Sequence, residues 1–231
     1  MFTQWDIRRD IYQGTSHKEA LQFSVEHWIH TAARSIQQRG RFVCALSGGS
    51  TPKQFLPDIF ASKDVDWAKV WLFWSDERVV PPDDERSNYK MCMDAGLRHC
   101  PIPLNQVFRM QEASTYEELI RRHTDSHLFD LVMLGLGEDG HTASLFPGSP
   151  ALKAPANQLV IATEHPATKE KRISFTMHCI NQSRLACIYA LGSAKQTIVK
   201  TILNAPILSQ WPASAVGTPE HKALFVLEFR P

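Results

Sequence analysis

The sequence predicts an α/β fold, with one doubly wound, mostly parallel sheet and helices on both of its faces. Short apolar segments alternate along the chain with segments that carry apolar residues at helical spacing, the pattern of βαβ units. Polar and glycine-rich clusters directly follow several of the apolar segments. Ligands of such sheets bind beyond the carboxyl ends of the strands, so these clusters mark the expected site. The topology is Rossmann-like, without a dinucleotide site.

The first predicted element is a helix that follows Ser16 and is stopped by Gly40. Ser16 and Glu19 have the S-x-x-E spacing of a capping box, and apolar residues recur at helical spacing from Leu21 to Ile36. The continuously apolar segment 42–46 then predicts a strand that is buried on both faces.

A second helix is predicted from Pro52 to about Ala61, with Thr51 as its N-cap. Apolar runs predict further strands at 70–74, 129–134, 159–162, 172–176, 185–191 and 223–229. Further helices are predicted from the cap at Ser87 through Met93, from the capping box formed by Thr115 and Glu118 to about Thr124, and from about Ala194 to Leu203.

Composition narrows the class of protein. A chain of 231 residues without repeats or a linker indicates one domain over residues 1–231. With 25 Lys and Arg against 24 Asp and Glu, the net charge of +1 argues against nucleic-acid and membrane-surface partners.

The first residues lack a signal-peptide pattern and no apolar stretch is long enough to span a membrane, so a cytoplasmic protein is expected. The five cysteines form no CxxC pair, so neither a disulfide framework nor a zinc site is expected.

The turn after the first buried strand combines glycines with hydroxyl side chains. Backbone N–H groups of such a turn, next to a helix N-terminus, can bind a phosphate. A tight strand-to-helix turn with a Ser or Thr cap would have the same local sequence. The residues concerned are Ser47, Gly48, Gly49, Ser50 and Thr51.

A second glycine-rich turn, Gly135-x-Gly137-x-x-Gly140, matches the dinucleotide-binding fingerprint in form. Its position argues against a nicotinamide-dependent oxidoreductase. It follows a strand past the middle of the chain, and no acidic residue lies about 20 positions further on, at the end of the next strand.

The same turn carries Asp139 and His141, which we predict to be catalytic. A histidine at a strand end can act as a general base near neutral pH, and a neighbouring carboxylate can orient its ring. The other interpretation, a histidine satisfied within the core or at the surface, is preferred for most of the ten histidines. No histidine spacing indicates a metal site.

Two cationic residues, Arg78 and Lys195, are further candidates for binding an anion. Arg78 ends the triplet 76–78 after an aromatic strand, where it can bind a phosphate or carboxylate, although a charged triplet is often only a solvated turn. Lys195 lies at a predicted strand-to-helix junction and can add positive charge to an anion site, although a single lysine is more often a surface residue.

These motifs together resemble the 6-phosphogluconolactonase family. The resemblance extends in order over nearly the whole chain, and the long run at 135–148 combined with DER at 76–78 is its most specific part. The matching segments are 47–52 (SGGSTP), 75–78 (SDER), 87–89 (SNY), 135–148 (GLGEDGHTASLFPG), 172–176 (RISFT), 192–195 (GSAK) and 212–214 (PAS).

The resemblance implies hydrolysis of 6-phospho-D-glucono-1,5-lactone to 6-phosphogluconate, the second step of the oxidative pentose phosphate pathway. It implies no metal or organic cofactor, and the chain itself indicates no obligate protein partner. His141 would then deprotonate water, with Asp139 orienting its ring. The loop 47–51 with Arg78 and Lys195 would bind the 6-phosphate, and Asn88 is a further candidate for substrate binding. Arg172 is a candidate for contact with an anion or oxyanion, with a structural role as the alternative.

Two alternatives remain on the same scaffold. Glucosamine-6-phosphate deaminases have a similar glycine loop and an Asp-Gly-His turn. Their pattern continues with an Asn-Glu-Pro segment, where this chain has Ser144 to Pro147, and they usually have Asp-Glu-Tyr in place of Asp-Glu-Arg. A non-catalytic sugar-phosphate sensor is the second alternative, although it would have little need of Asp139 together with His141.

Overall fold

The computed structural model describes residues 1–207 and 210–229 of the chain. The strands are β1 (Phe2–Gln4), β2 (Arg9–Gln13), β3 (Phe42–Leu46), β4 (Val70–Trp74), β5 (Asp76–Arg78), β6 (Leu131–Leu134), β7 (Val160–Glu164), β8 (Lys171–Phe175), β9 (Ala186–Ala190) and β10 (Ala223–Leu227). The α-helices are α1 (His17–Arg39), α2 (Pro52–Phe60), α3 (Asn88–Asp94), α4 (Ala113–His123), α5 (Met177–Asn181) and α6 (Gln196–Asn204).

Seven strands form the central sheet, in the order β1-β2-β10-β9-β6-β3-β4. Every neighbouring pair is parallel except β1 with β2. After β3 the chain forms α2 and continues into β4 on one side, whereas after β6 it continues toward β9 on the other side. The strand order therefore reverses between β3 and β6, and the carboxyl ends of these two strands form the crevice in which such sheets bind ligands.

Helices cover both faces of this sheet. Phe73 lies in register with Ala45 on β3, so strand alternation places its ring on the face opposite to that of Phe42. Trp28 of α1 packs edge-on against Phe42, with 5.0 Å between ring centroids. On the other face, Tyr116 of α4 packs against Phe73 at 5.7 Å. The predicted fold class is thus confirmed for the central sheet.

The prediction of one sheet needs a correction. The strands expected at 159–162 and 172–176 exist as β7 and β8, but they pair with β5 in a separate, three-stranded antiparallel sheet. The segment 76–78, which the sequence suggested as part of a turn, is β5 itself. Local apolar patterning identifies a strand without identifying its partner, because the pairing depends on contacts that are distant in sequence.

Most predicted helix ends are correct, and one is not. The Ser16 hydroxyl accepts from the backbone N–H of Glu19, and α1 ends at Gly40 in a left-handed conformation with φ of 76°. Helix α4 does not begin with a capping box at Thr115. Its N-cap is Glu112, whose carboxylate accepts from the backbone N–H groups of Ser114 and Thr115. Helix α5 and the hairpin β1-β2 were not predicted. Among the described residues, no helix is long and apolar enough to cross a membrane.

Candidate active site

A cavity of about 240 Å³ opens at the carboxyl ends of the central strands, at the crevice between β3 and β6. It brings together residues that lie up to 148 positions apart, between Ser47 and Lys195. All the residues predicted to bind substrate line it, together with the predicted base: Ser47, Gly48, Gly49, Ser50, Thr51, Arg78, Asn88, His141, Arg172 and Lys195. Asp139 lies beside the cavity, against His141.

Asp139 fixes the orientation of His141. Its Oδ1 is 2.6 Å from Nδ1 of the imidazole and accepts from the backbone N–H of His141 at 3.1 Å. Burial alone would raise the pKa of Asp139, but the hydrogen bonds and charge of His141 outweigh it and lower that pKa below its ordinary value. A carboxylate on Nδ1 favours the tautomer with its proton there, which leaves Nε2 unprotonated and able to accept a proton.

The turn that carries this pair is tight for a steric reason. A Cβ atom on Gly137 would overlap both Nδ1 of His141 and Oδ1 of Asp139. The backbone N–H of Gly137 donates to the carbonyl of His141 at 2.8 Å, which closes the turn. On its other side the imidazole packs against Phe146, with 4.7 Å between ring centroids. The absence of a side chain at Gly137 therefore allows the close approach of His141 and Asp139.

The loop between β3 and α2 presents free donors to the cavity. Thr51 is the N-cap of α2 by position, as predicted, but its hydroxyl makes no capping hydrogen bond. Within residues 1–207 and 210–229, the backbone N–H groups of Gly49, Ser50 and Thr51 donate to no protein acceptor. Free N–H groups next to a helix N-terminus are suited to a phosphate. Gly48 lies so close to Asn88 that a Cβ would overlap the side-chain oxygen of that asparagine.

Asp76 and Glu77 of the DER triplet are buried rather than solvated, and Arg78 is half-buried. Glu77 is 1% exposed, and its carboxylate accepts from the backbone N–H groups of Arg78, Asn88 and Tyr89 and from the Ser87 hydroxyl at 2.8–2.9 Å. Burial raises the pKa of Glu77, while these four donors act in the opposite direction. Glu77 therefore ties the start of α3 to β5 and fixes the position of Asn88.

Asp76 is a site residue that sequence reasoning missed. It is 6% exposed, lines the cavity, and accepts hydrogen bonds from the Ser144 hydroxyl at 2.6 Å and from Nδ2 of Asn88 at 3.3 Å. Tyr189 of β9, also missed, lines the cavity from within the sheet. The sequence does indicate Asp76 by its position, because it lies two residues after the buried strand β4. The same argument identified its neighbour Arg78.

Three cationic side chains, those of Arg78, Arg172 and Lys195, also line the cavity. The Nε atoms of Arg78 and Arg172 are buried and have no hydrogen-bond partner within the described residues. Arg172 is paired through Nη2 with Glu170 at 2.6 Å, and Arg78 donates from Nη1 to the carbonyl of Arg86. Lys195 is 3.8 Å from the exposed carboxylate of Glu138, and its side chain is 24% exposed. Donors thus remain available for an anion within the cavity.

Metal ligation has no candidate in the described residues, where no three His, Cys, Asp or Glu side chains cluster in a way that could hold an ion. His141 and the three cationic side chains lie instead around one small polar cavity, with Asp139 beside it. Such a site can activate a water molecule beside a bound anionic substrate.

The model of the glucosamine-6-phosphate isomerases/6-phosphogluconolactonase family matches residues 15–226. The chain belongs to this family. The 6-phosphogluconolactonase of Chlamydia muridarum is 40% identical over 219 residues, which are 92% of this chain and 85% of that protein. The 6-phosphogluconolactonase of Treponema pallidum is 37% identical over 199 residues, 79% of this chain and 80% of the relative.

Solved structures of this family have the same fold. The 6-phosphogluconolactonase of Thermotoga maritima superposes with a TM-score of 0.81 at 26% identity, over 95% of this chain and 99% of that chain. The 6-phosphogluconolactonase of Trypanosoma brucei superposes with a TM-score of 0.79 at 26% identity, over 94% and 95% of the two chains.

Proposed function

We propose that this chain hydrolyses 6-phospho-D-glucono-1,5-lactone to 6-phosphogluconate, the second step of the oxidative pentose phosphate pathway. The observation that carries the proposal is the His141 imidazole, oriented by Asp139 at 2.6 Å, on a cavity that also contains Arg78, Arg172 and Lys195. A general base beside an anion-binding wall suits an ester that carries a phosphate. The names of the relatives support the same activity.

The substrate's phosphate is assigned to the loop 47–51 together with Arg78 and Lys195. The free N–H groups of that loop and the two cations supply charge-assisted hydrogen bonds. Arg172 and Asn88 are assigned to the rest of the substrate. An Arg172 guanidinium near the carbonyl oxygen would stabilise the oxyanion that forms when water adds.

The chemistry needs only His141 as the proton carrier. Nε2 takes a proton from water as the water oxygen bonds to the lactone carbonyl carbon. When the bond from that carbon to the ring oxygen breaks, His141 returns the proton to the ring oxygen, which leaves as a hydroxyl group. The carboxylate of Asp139 stabilises the imidazolium between these two steps. No cysteine lines the cavity, and no covalent intermediate is required.

The test is a coupled assay that measures 6-phosphogluconate formation. Because the lactone also hydrolyses spontaneously, an enzyme-free reaction is run beside every sample. We expect His141→Ala to lower kcat by roughly 10²-fold or more, the scale of general acid–base catalysis. His30→Ala, which alters an exposed histidine of α1, is the matched control and is expected to leave turnover unchanged. Wild-type turnover after replacement of His141 would exclude it as the base.

The same preparation distinguishes a deaminase from a lactonase. Glucosamine 6-phosphate should release no ammonia, because the segment 144–147 lacks the Asn-Glu-Pro pattern of the deaminases. Ammonia release at a rate similar to lactone hydrolysis would contradict the assignment. Tight binding of 6-phosphogluconate without any turnover of the lactone would indicate a sensor.

A further inference from the structure

A second cavity, of about 540 Å³, lies at the opposite edge of the central sheet. Its lining comes from α1 and from the segments that precede β6, β9 and β10, so it opens at the amino ends of these strands. A five-residue strand spans about 15 Å, which separates this amino-edge cavity from the site described above. The residues that matter for its chemistry are His27, Arg34, Arg39, Asp130, Arg184 and His221.

The amino-edge cavity has more positive than negative groups. Three arginines line it, against the carboxylates of Asp130 and Glu220, and three histidines add rings that carry charge only when they are protonated. Asp130 is already engaged, because Oδ1 accepts from Nε of Arg39 at 2.9 Å and lies 3.4 Å from Nε of Arg184. Its Oδ2 accepts from the backbone N–H of Val43 at 2.8 Å.

Arg34 is the cation left without a counter-charge. Among the described residues, no carboxylate forms an ion pair with it and no acceptor binds its guanidinium. Arg184, in contrast, has both Asp130 and Asp125, the latter at 3.2 Å. Arg34 is exposed on α1, one helical turn before Gln38, which also lines the cavity.

His27 adds a buried donor or acceptor that has no partner. Its Nδ1 is inaccessible to solvent and makes no hydrogen bond within the part of the chain that the structure describes. Burial, with the nearby charges of His30 and Arg34, lowers the pKa of His27 to about 4. Burial also lowers the pKa of His221, with His127 and Arg184 contributing and Glu220 opposing. A bound anion would oppose this effect, because a nearby negative charge favours the protonated form of a histidine.

We propose that the amino-edge cavity binds a small multivalent phosphate anion, with the Arg34 guanidinium as its donor and the His27 ring in the adjoining wall. The ligand class is a compact phosphate ester or a pyrophosphate group. An extended polyanion is not proposed, since the net charge of the chain is only +1. The proposal is independent of lactone hydrolysis, because none of its residues lines the other cavity.

Inorganic pyrophosphate is the probe, and the histidine ring resonances of the full chain are the readout. Titration at pH 7 and constant ionic strength should shift the resonances of His27, His30 and His221 in a saturable way. The His141 resonance reports separately on pyrophosphate bound at the other cavity. In Arg34→Gln, the dissociation constant measured from the first three resonances should rise about tenfold or more, because one charge-assisted hydrogen bond is lost.

Arg122→Gln is the matched control, because Arg122 is an exposed arginine of α4 that does not line the cavity. It should bind pyrophosphate as the wild type does. The proposal is overturned by shifts confined to His141, by a response that grows linearly without saturation, or by equal affinities in Arg34→Gln and Arg122→Gln. Both replacements lie at exposed helix positions, so both proteins are expected to fold.

Discussion

Arg78 of β5 and Arg172 of β8 lie directly opposite each other in the antiparallel sheet, and both side chains line the same cavity. Like charges in this position destabilise a sheet when nothing lies between them. Each arginine also has a buried Nε atom without a hydrogen-bond partner in the described part of the chain. An anionic substrate that contacts both guanidinium groups would supply the missing acceptors and relieve the repulsion.

This relationship predicts how a ligand stabilises the protein. 6-phosphogluconate should raise the thermal midpoint of the wild type, and the increase should be smaller in Arg78→Gln and in Arg172→Gln. A tenfold loss of affinity removes about 1.4 kcal/mol of ligand stabilisation when the ligand is in excess. Thermal unfolding with and without ligand measures the difference. Arg122→Gln, with its exposed arginine on α4, should keep the full increase, and equal increases in all four proteins would contradict an anion site at this pair.

Replacement of Asp139 by asparagine should show whether Asp139 acts on turnover, through the charge of His141, or on substrate binding. An amide can present its oxygen to Nδ1, but it carries no charge to stabilise the imidazolium. We therefore expect kcat to fall roughly 10²-fold or more, with little change in KM, because Asp139 does not line the cavity. Steady-state kinetics of Asp139→Asn beside wild type measure this. A rise in KM at constant kcat would instead assign Asp139 to substrate binding.

The same variant tests the charge of Asp139 through its dependence on pH. The pKa of Asp139 is lowered in the folded protein, although burial opposes the shift. Its stabilising contribution is therefore present above its unfolded pKa of about 3.9, and is lost as the pH falls through the lower folded value. Urea denaturation at pH 6 and at pH 3 should show the difference between wild type and Asp139→Asn shrinking at pH 3. A difference that grows on acidification would contradict the lowered pKa.

The site was predictable to the extent that its residues directly follow strands. Ser47, Arg78 and His141 lie in the segments that follow the predicted strands β3, β4 and β6, and parallel strands bring such segments to one edge of the sheet. The environment of Glu77 was not predictable. Its burial depends on the pairing of β5 with β8, nearly a hundred residues later, and no local pattern encodes that pairing.

Glu77 should be essential for the arrangement of the site, although it does not line the cavity. In Glu77→Gln, one of the two former carboxylate oxygens becomes an NH2 group, which cannot accept from the N–H groups and hydroxyl that converge there. Leaving buried donors unpaired costs about 1–3 kcal/mol. We expect a lower free energy of unfolding in urea and a lower kcat/KM, because Asn88 and Arg78 lose their anchor.

Glu138→Gln is the control for that change. Its side chain is 74% exposed and lies 3.8 Å from Lys195, and exposed ion pairs contribute little to stability. The free energy of unfolding should therefore stay within about 0.5 kcal/mol of wild type. Equal stability of Glu77→Gln and wild type would show that a carboxylate is not needed at this position to hold the start of α3.

Two glycines of one turn allow a matched steric test. A Cβ on Gly137 would overlap the imidazole of His141 and the carboxylate of Asp139, whereas a Cβ on Gly135 would meet only the Ser47 hydroxyl at 3.9 Å, an ordinary contact. Gly137→Ala should therefore displace the catalytic pair and lower kcat by roughly 10²-fold, since a misplaced base loses most of its contribution. Gly135→Ala should keep kcat within a few-fold of wild type, and any effect of its methyl group, which is added to the cavity wall, should be on KM. Steady-state assays compare kcat of the two variants, and circular dichroism verifies that each is folded. Equal kcat values would show that the turn can widen without moving His141.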